Sequence, residues 1–131
     1  MNDIEQAQSL LRMAQMDLNA LMGMGNNALF ADEIFGFHAQ QAIEKALKAW
    51  LSARGVEFPL THELTRLLNL LEKQGEYVEA FWPLAQYTVF AVQARYEEGL
   101  FDLDAALDRS TVVEQTQSLL EHVERVLSRQ R

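Results

Sequence analysis

Four polar side chains in one segment share a direction. His38, Gln41, Lys45 and Lys48 follow one another at steps of three, four and three, so on a helix they line one face. An imidazole, an amide and two ammonium groups in a row can hold a phosphate or the edge of a base. The same stripe also reads as a solvated face, supported by Glu44 and Lys48 one turn apart. Arg95 is a second candidate, because it shares a helical face with Leu84 and Thr88. A guanidinium among apolar neighbours needs a carboxylate or several carbonyls. Arg95 is therefore either an anion-binding or catalytic arginine or half of a structural pair with an acid such as Asp102 or Glu44. Tyr96 faces another way and can fill a gap at the helix end. His62 follows Thr61 and is placed to order a loop, while His122, beside acidic residues, is expected to be exposed.

Stronger enzyme signatures are missing from the sequence. It has no glycine-rich phosphate loop, no His-Glu-x-x-His zinc helix and no nucleophile elbow. The histidines at 38, 62 and 122 lack metal-ligand spacing. The chain has no cysteine, which excludes disulfides, thiolate metal sites and a cysteine nucleophile. Neither a metal nor a cofactor is expected. Met13 and Met16 fit a core position or a dimer contact better than a cofactor pocket.

Charge narrows the partners. The net charge is −8 over 131 residues, and a uniformly acidic surface opposes sequence-independent binding of nucleic acid. The distribution is uneven. Residues 34 to 75 carry five basic and four acidic side chains, whereas 76 to 108 carry seven acids and one base, Arg95. An anion site therefore belongs on the middle helices or depends on a second chain. The acidic balance also serves plain solubility. No apolar run approaches the roughly 18 residues of a membrane span, and the N-terminus lacks a signal-peptide pattern, so the expected location is the cytoplasm and no membrane contact is expected.

The elements that must position these residues are all helical. The first helix is expected from Asp3 to Met22, with Ile4, Ala7, Leu11, Ala14, Leu18 and Leu21 on its inner face. A long central helix is expected from Ala31 to Ala53, closed by Arg54-Gly55. A third should start near the capping Thr61 and end at Lys73-Gln74-Gly75. Pro83 breaks a helix interior, so 76–82 reads as a turn or kinked piece and the main fourth helix as running from Pro83 to Arg95 or Tyr96. Its inner stripe would be Leu84, Thr88, Ala91, Val92 and Arg95. After an acidic stretch anchored by Leu100, Phe101 and Leu103, the last helix should begin at Ser110 or Thr111, with Thr111 and Glu114 as a capping box. Its expected core residues are Val113, Leu119, Leu120, Val123, Val126 and Leu127. Strand signals are absent. The expected fold is a single all-α domain over residues 1–131, an up-and-down bundle of four to five helices.

Four stretches then carry a resemblance. The run Phe37-His38-Ala39-Gln40-Gln41-Ala42-Ile43-Glu44-Lys45-Ala46-Leu47-Lys48-Ala49 resembles the HEPN family, named for nucleotide binding in higher eukaryotes and prokaryotes. Arg54-Gly55-Val56-Glu57-Phe58-Pro59, Thr61-His62-Glu63-Leu64 and Ala94-Arg95-Tyr96 extend the likeness across most of the chain. The resemblance implies a four- to five-helix bundle that is commonly a homodimer, often beside a minimal nucleotidyltransferase in a module of toxin–antitoxin type. It also implies contact with nucleotide or RNA through His38, Gln41, Lys45, Lys48, Arg95 and Tyr96. Some relatives are metal-independent ribonucleases that use an arginine and a histidine, with four to six residues between them, placed across the dimer interface. Here Arg95 is followed by Tyr96-Glu97-Glu98-Gly99-Leu100-Phe101-Asp102, without a histidine, and seven residues separate Arg54 from His62, one too many and in a different element. The expectation is thus a binding protein without ribonuclease activity, the alternative being a ribonuclease toxin that uses Arg95.

Overall fold

The computed structural model describes residues 2–25, 29–91 and 107–130. Five helical elements appear among them, with no strand: α1 (Asp3–Gly23), α2 (Asp32–Ala53), α3 (Leu64–Lys73), a 3₁₀ segment (Glu79–Phe90) and α4 (Arg109–Gln130). The all-α bundle read from the sequence is the fold of the protein. No described helix is long and apolar enough to cross a membrane.

Small side chains set the tightest seam. α2 turns Ala39, Ala42, Ala46 and Ala49 inward, all fully buried, and α1 answers with Ala7 and Ala14. Alanine surfaces let two helix axes approach toward the short end of the usual 8–10 Å range. Leu11, Leu18 and Leu21 of α1 fill the remainder, as their spacing foretold. α1 starts at Asn2, whose side chain accepts the Glu5 N–H at 2.8 Å. The two helices run in opposite senses: Ser52 donates to the Asp3 carbonyl at 2.8 Å, while Lys45 reaches Asp17.

α2 and α3 end as expected. Gly55 and Gly75 adopt φ of 71° and 82°, the left-handed turn that closes a helix at little cost for glycine. α3 begins at Leu64 rather than near Thr61. Thr61 caps only a local turn, its hydroxyl accepting the Glu63 N–H at 3.1 Å, and the Leu64 N–H is satisfied by the Thr88 hydroxyl at 3.1 Å.

The fourth element departs further from expectation. It starts at Glu79 and continues through Pro83 as a 3₁₀ helix. Its buried residues are Phe81, Leu84, Tyr87 and Phe90, with Val78 just before it, so the inward face recurs at every third position. That is the 3₁₀ period of three residues per turn, not the α period assumed for a stripe through Leu84, Thr88 and Ala91. Proline has no N–H to give to the run, and the Gln86 side chain donates to the Pro83 carbonyl at 2.9 Å. Val92 and Arg95 of the expected stripe, together with Leu100, Phe101 and Leu103, lie outside the described residues.

α4 starts one residue earlier than expected, and Asp108 caps it: its carboxylate accepts the Thr111 N–H at 3.3 Å and the Thr111 hydroxyl at 2.9 Å. Thr111 is thus the capped residue, not the cap. Val112 is buried where Val113 was expected to lead, and Val113 packs at the margin. Arg109 bolts this end of the bundle. Its buried guanidinium donates to the Met24 and Phe30 carbonyls at 2.7 and 2.6 Å and to Asp32 at 2.9 Å, lying 4.8 Å from the Phe35 ring centre.

Gly36 is where the 3₁₀ segment meets α2. A Cβ at this position would overlap the ring of Phe90. Gly36→Ala should therefore destabilise the fold by about 1–3 kcal/mol in denaturant unfolding, despite alanine's better helix propensity. Gly23, with open space around it, should accept alanine within about 0.5 kcal/mol. Equal behaviour of the two variants would contradict this packing.

Candidate functional site

The α2 stripe is present, and two carboxylates organise it. Asp17, from α1, bonds His38 Nδ1 at 3.1 Å and accepts from Lys45 Nζ at 2.7 Å. Glu44, from α2 itself, bonds His62 Nδ1 at 2.8 Å and accepts from Lys48 Nζ at 2.9 Å and Gln40 Nε2 at 2.8 Å. Gln40 also donates to the His62 carbonyl at 3.2 Å and takes the Gln41 amide proton at 2.7 Å. His38, Gln41, Lys45 and Lys48 therefore stand together as their spacing foretold. Their charged ends are committed inside the protein. Only 7% of the Glu44 side chain and 12% of the Lys48 side chain are exposed.

Glu44 repays its burial through these bonds. Burial alone would raise its carboxyl. The hydrogen bonds from Gln40, His62 and Lys48, with the charge of Lys48, outweigh that and hold it below the ordinary carboxylate range. His62 orders the loop ahead of α3, as its place after Thr61 suggested, although its own ring is mostly exposed. Half-buried aromatic rings flank the stripe: Phe37 meets His38 edge-on at 5.5 Å, and Phe58 lies 5.5 Å from Lys48 Nζ.

Arg95 and Tyr96 lie outside the described residues. Glu44, one of the acids considered for Arg95, is already engaged by Gln40, Lys48 and His62. Two other expectations are corrected. His122 is half-buried against Trp50 and Phe81, with ring centres 4.6 and 5.3 Å away, rather than exposed. Its acidic neighbours in sequence occupy other faces of α4. Met13 and Met16 are 44% and 70% exposed, which excludes a core role in this chain. Arg109 was missed altogether, since nothing in its local sequence announces the carbonyls it captures. Among the described residues, no group of three or more His, Asp or Glu could hold a metal ion. The stripe is an open face: a groove of about 590 Å³ lies elsewhere, between α1 and α4, lined by Gln8, Leu11, Arg12, Gln15, Glu124 and Leu127.

A third carboxylate closes the far end of α2. Glu76 accepts from Trp50 Nε1 at 2.8 Å and from the Arg54 guanidinium. Burial would raise its carboxyl, but the bonds from Arg54 and Trp50 and the charges of Arg54 and His122 hold it low. Burial pushes the His122 imidazole down, Arg125 and Arg129 push it further, and Glu76 opposes them.

These shifts set a pH profile. His122 resists protonation in the fold, so stability is complete above the ordinary imidazole value of about 6.5 and falls as pH drops through it toward the lower native value. Glu44 resists protonation too. Its contribution is complete above the ordinary carboxylate value of about 4.3 and is lost as pH falls through the lowered native one. Thermal unfolding against pH should therefore weaken in two stages. His122→Phe should remove the upper stage. Glu44→Gln should cost about 1–3 kcal/mol at neutral pH by stranding Lys48, and should shrink the lower stage. A profile unchanged in both variants would contradict the assignment.

Comparison with known proteins places the chain in a family. The HEPN domain model matches residues 7–131. No significant match was found among curated proteins or among solved structures. The match supports a nucleotide- or RNA-binding type of function. With essentially its whole length matched, the chain belongs to the HEPN domain family.

Proposed function

We propose that this HEPN chain is a cytoplasmic homodimer that binds a nucleotide or a protein partner without cleaving RNA. We further propose that it serves as the companion of a minimal nucleotidyltransferase in a two-protein module of toxin–antitoxin type. The observation that carries the non-catalytic reading is the sequence after Arg95. Residues 96 to 102 supply no histidine to act with it. In-line cleavage of RNA needs a base at the 2′-hydroxyl and a cation for the charge that builds on phosphorus. Arg95 offers the cation and its neighbours no base. Further support comes from the α2 stripe, where an imidazole, amides and partly exposed ammonium groups form one polar face bounded by aromatic rings.

Calorimetry tests this reading with three titrants: ATP, GTP and the nucleotidyltransferase encoded beside the chain. At least one should bind, and Lys45→Ala should weaken that binding by about tenfold, near 1.4 kcal/mol. Binding to none of the three overturns the proposal.

One observation favours a second reading, a metal-independent ribonuclease. Glu44 holds His62 by Nδ1 while 58% of the imidazole side chain is exposed, the arrangement that orients a general base. Across a dimer such a histidine could serve Arg95. Incubation with total RNA in chelator decides between the two readings. The binding role predicts no cleavage, and the ribonuclease role predicts cleavage abolished by Arg95→Ala and by His62→Ala.

A further inference from the structure

The stripe's hydrogen bonds carry more information than its composition. Asp17 and Glu44 bring two negative charges to Lys45 and Lys48, and with neutral imidazoles the four charges cancel. The ammonium groups are also the inner members of the set. The Lys45 and Lys48 side chains are 21% and 12% exposed, against 31% for His38 and 58% for His62. A phosphate site has the reverse layout, with uncompensated cations outermost. Both imidazoles turn Nδ1 to a carboxylate, so the neutral ring keeps its proton there and leaves the Nε2 lone pair for a ligand. Gln41 gives one of its two amide N–H groups to Gln40, and its carbonyl oxygen remains as another acceptor. Lone pairs repel phosphate oxygens and accept from N–H groups such as the exocyclic amines of adenine, guanine and cytosine. The rings of Phe37 and Phe58 lie at the two ends of the stripe and give it apolar margins.

We infer that the α2 stripe reads an amino-bearing nucleobase through His38 and His62 and leaves the ligand's phosphates in solvent. This rests on the nucleotide-binding reading above and adds which part of the nucleotide is read. The net charge of −8 acts in the same direction, since it disfavours ligands held by their phosphates.

The test is calorimetry of the full chain with adenosine, guanosine, cytidine and uridine and with their triphosphates, at about 50 and about 300 mM KCl. The preferred nucleoside and its triphosphate should bind within about threefold of each other. Neither affinity should move more than about threefold across the salt range. Uridine, which has no amino group, should bind about tenfold more weakly than the preferred nucleoside. His62→Ala should weaken the nucleoside by about tenfold, with the melting temperature as a check on folding. A triphosphate bound about thirtyfold more tightly than its nucleoside, with affinity falling steeply in salt, overturns this inference and leaves nucleotide binding intact. Binding of no nucleoside and no triphosphate overturns the nucleotide reading itself.

Discussion

A single buried carboxylate, Glu44, organises the middle of this protein. Taking an ion of that size out of water costs several kcal/mol unless donors surround it. Glu44 finds three donors from different places: Gln40 one turn back, Lys48 one turn ahead and His62 from the connection before α3. The first two fix the polar face of α2. The third fastens the start of α3 to that face, helped by the bond from Gln40 to the His62 carbonyl. Removing the charge would release a loop and a lysine together, so the polar stripe and the path of the chain into α3 are one device.

Asp17 extends the same arrangement across a helix boundary, and the alanine seam makes that possible. With small buried alanines on both helices, Ala39, Ala42, Ala46 and Ala49 on α2 and Ala7 and Ala14 on α1, a short aspartate on α1 reaches both His38 and Lys45. At one end of the bundle Arg109 does with carbonyls what Glu44 does with donors. It collects Met24, Phe30 and Asp32, groups left by the end of α1 and the start of α2, and draws α4 onto them. Trp50, Glu76, Arg54 and His122 close the other end. The apolar core lies between these polar locks.

The sequence made the long helices legible because their apolar residues recur at three and four, and a glycine marks the ends of α2 and α3. The side chains of the polar stripe were legible for the same reason: helical spacing alone brings His38, Gln41, Lys45 and Lys48 to one face. What spacing could not supply was the partners. Asp17 is 21 residues from His38 and Glu44 is 18 from His62, and such pairings follow from how helices dock. His122 was misjudged for a related reason: its neighbours in sequence are acidic, but its neighbours in space are Trp50 and Phe81. The start of α4 was misread because both Asp108 and Thr111 can cap, and only geometry chooses. The 3₁₀ segment was misread although its signal was present. Val78, Phe81, Leu84, Tyr87 and Phe90 sit at strict threes, a pattern that an α-helical template cuts across.

That strict spacing constrains how this segment can change over evolutionary time. In an α-helix, gaining or losing a residue rotates everything beyond it by about 100°, and no small whole number of residues restores the face. In a 3₁₀ helix three residues make one full turn of about 6 Å, so length changes in threes return every inner side chain to the core. Each such change would still slide Phe90 along α2 by about one turn. Gly36 leaves room for its ring, which a Cβ there would overlap. The glycine therefore acts as a gauge of length: it ties the segment's number of turns to a single position on the central helix.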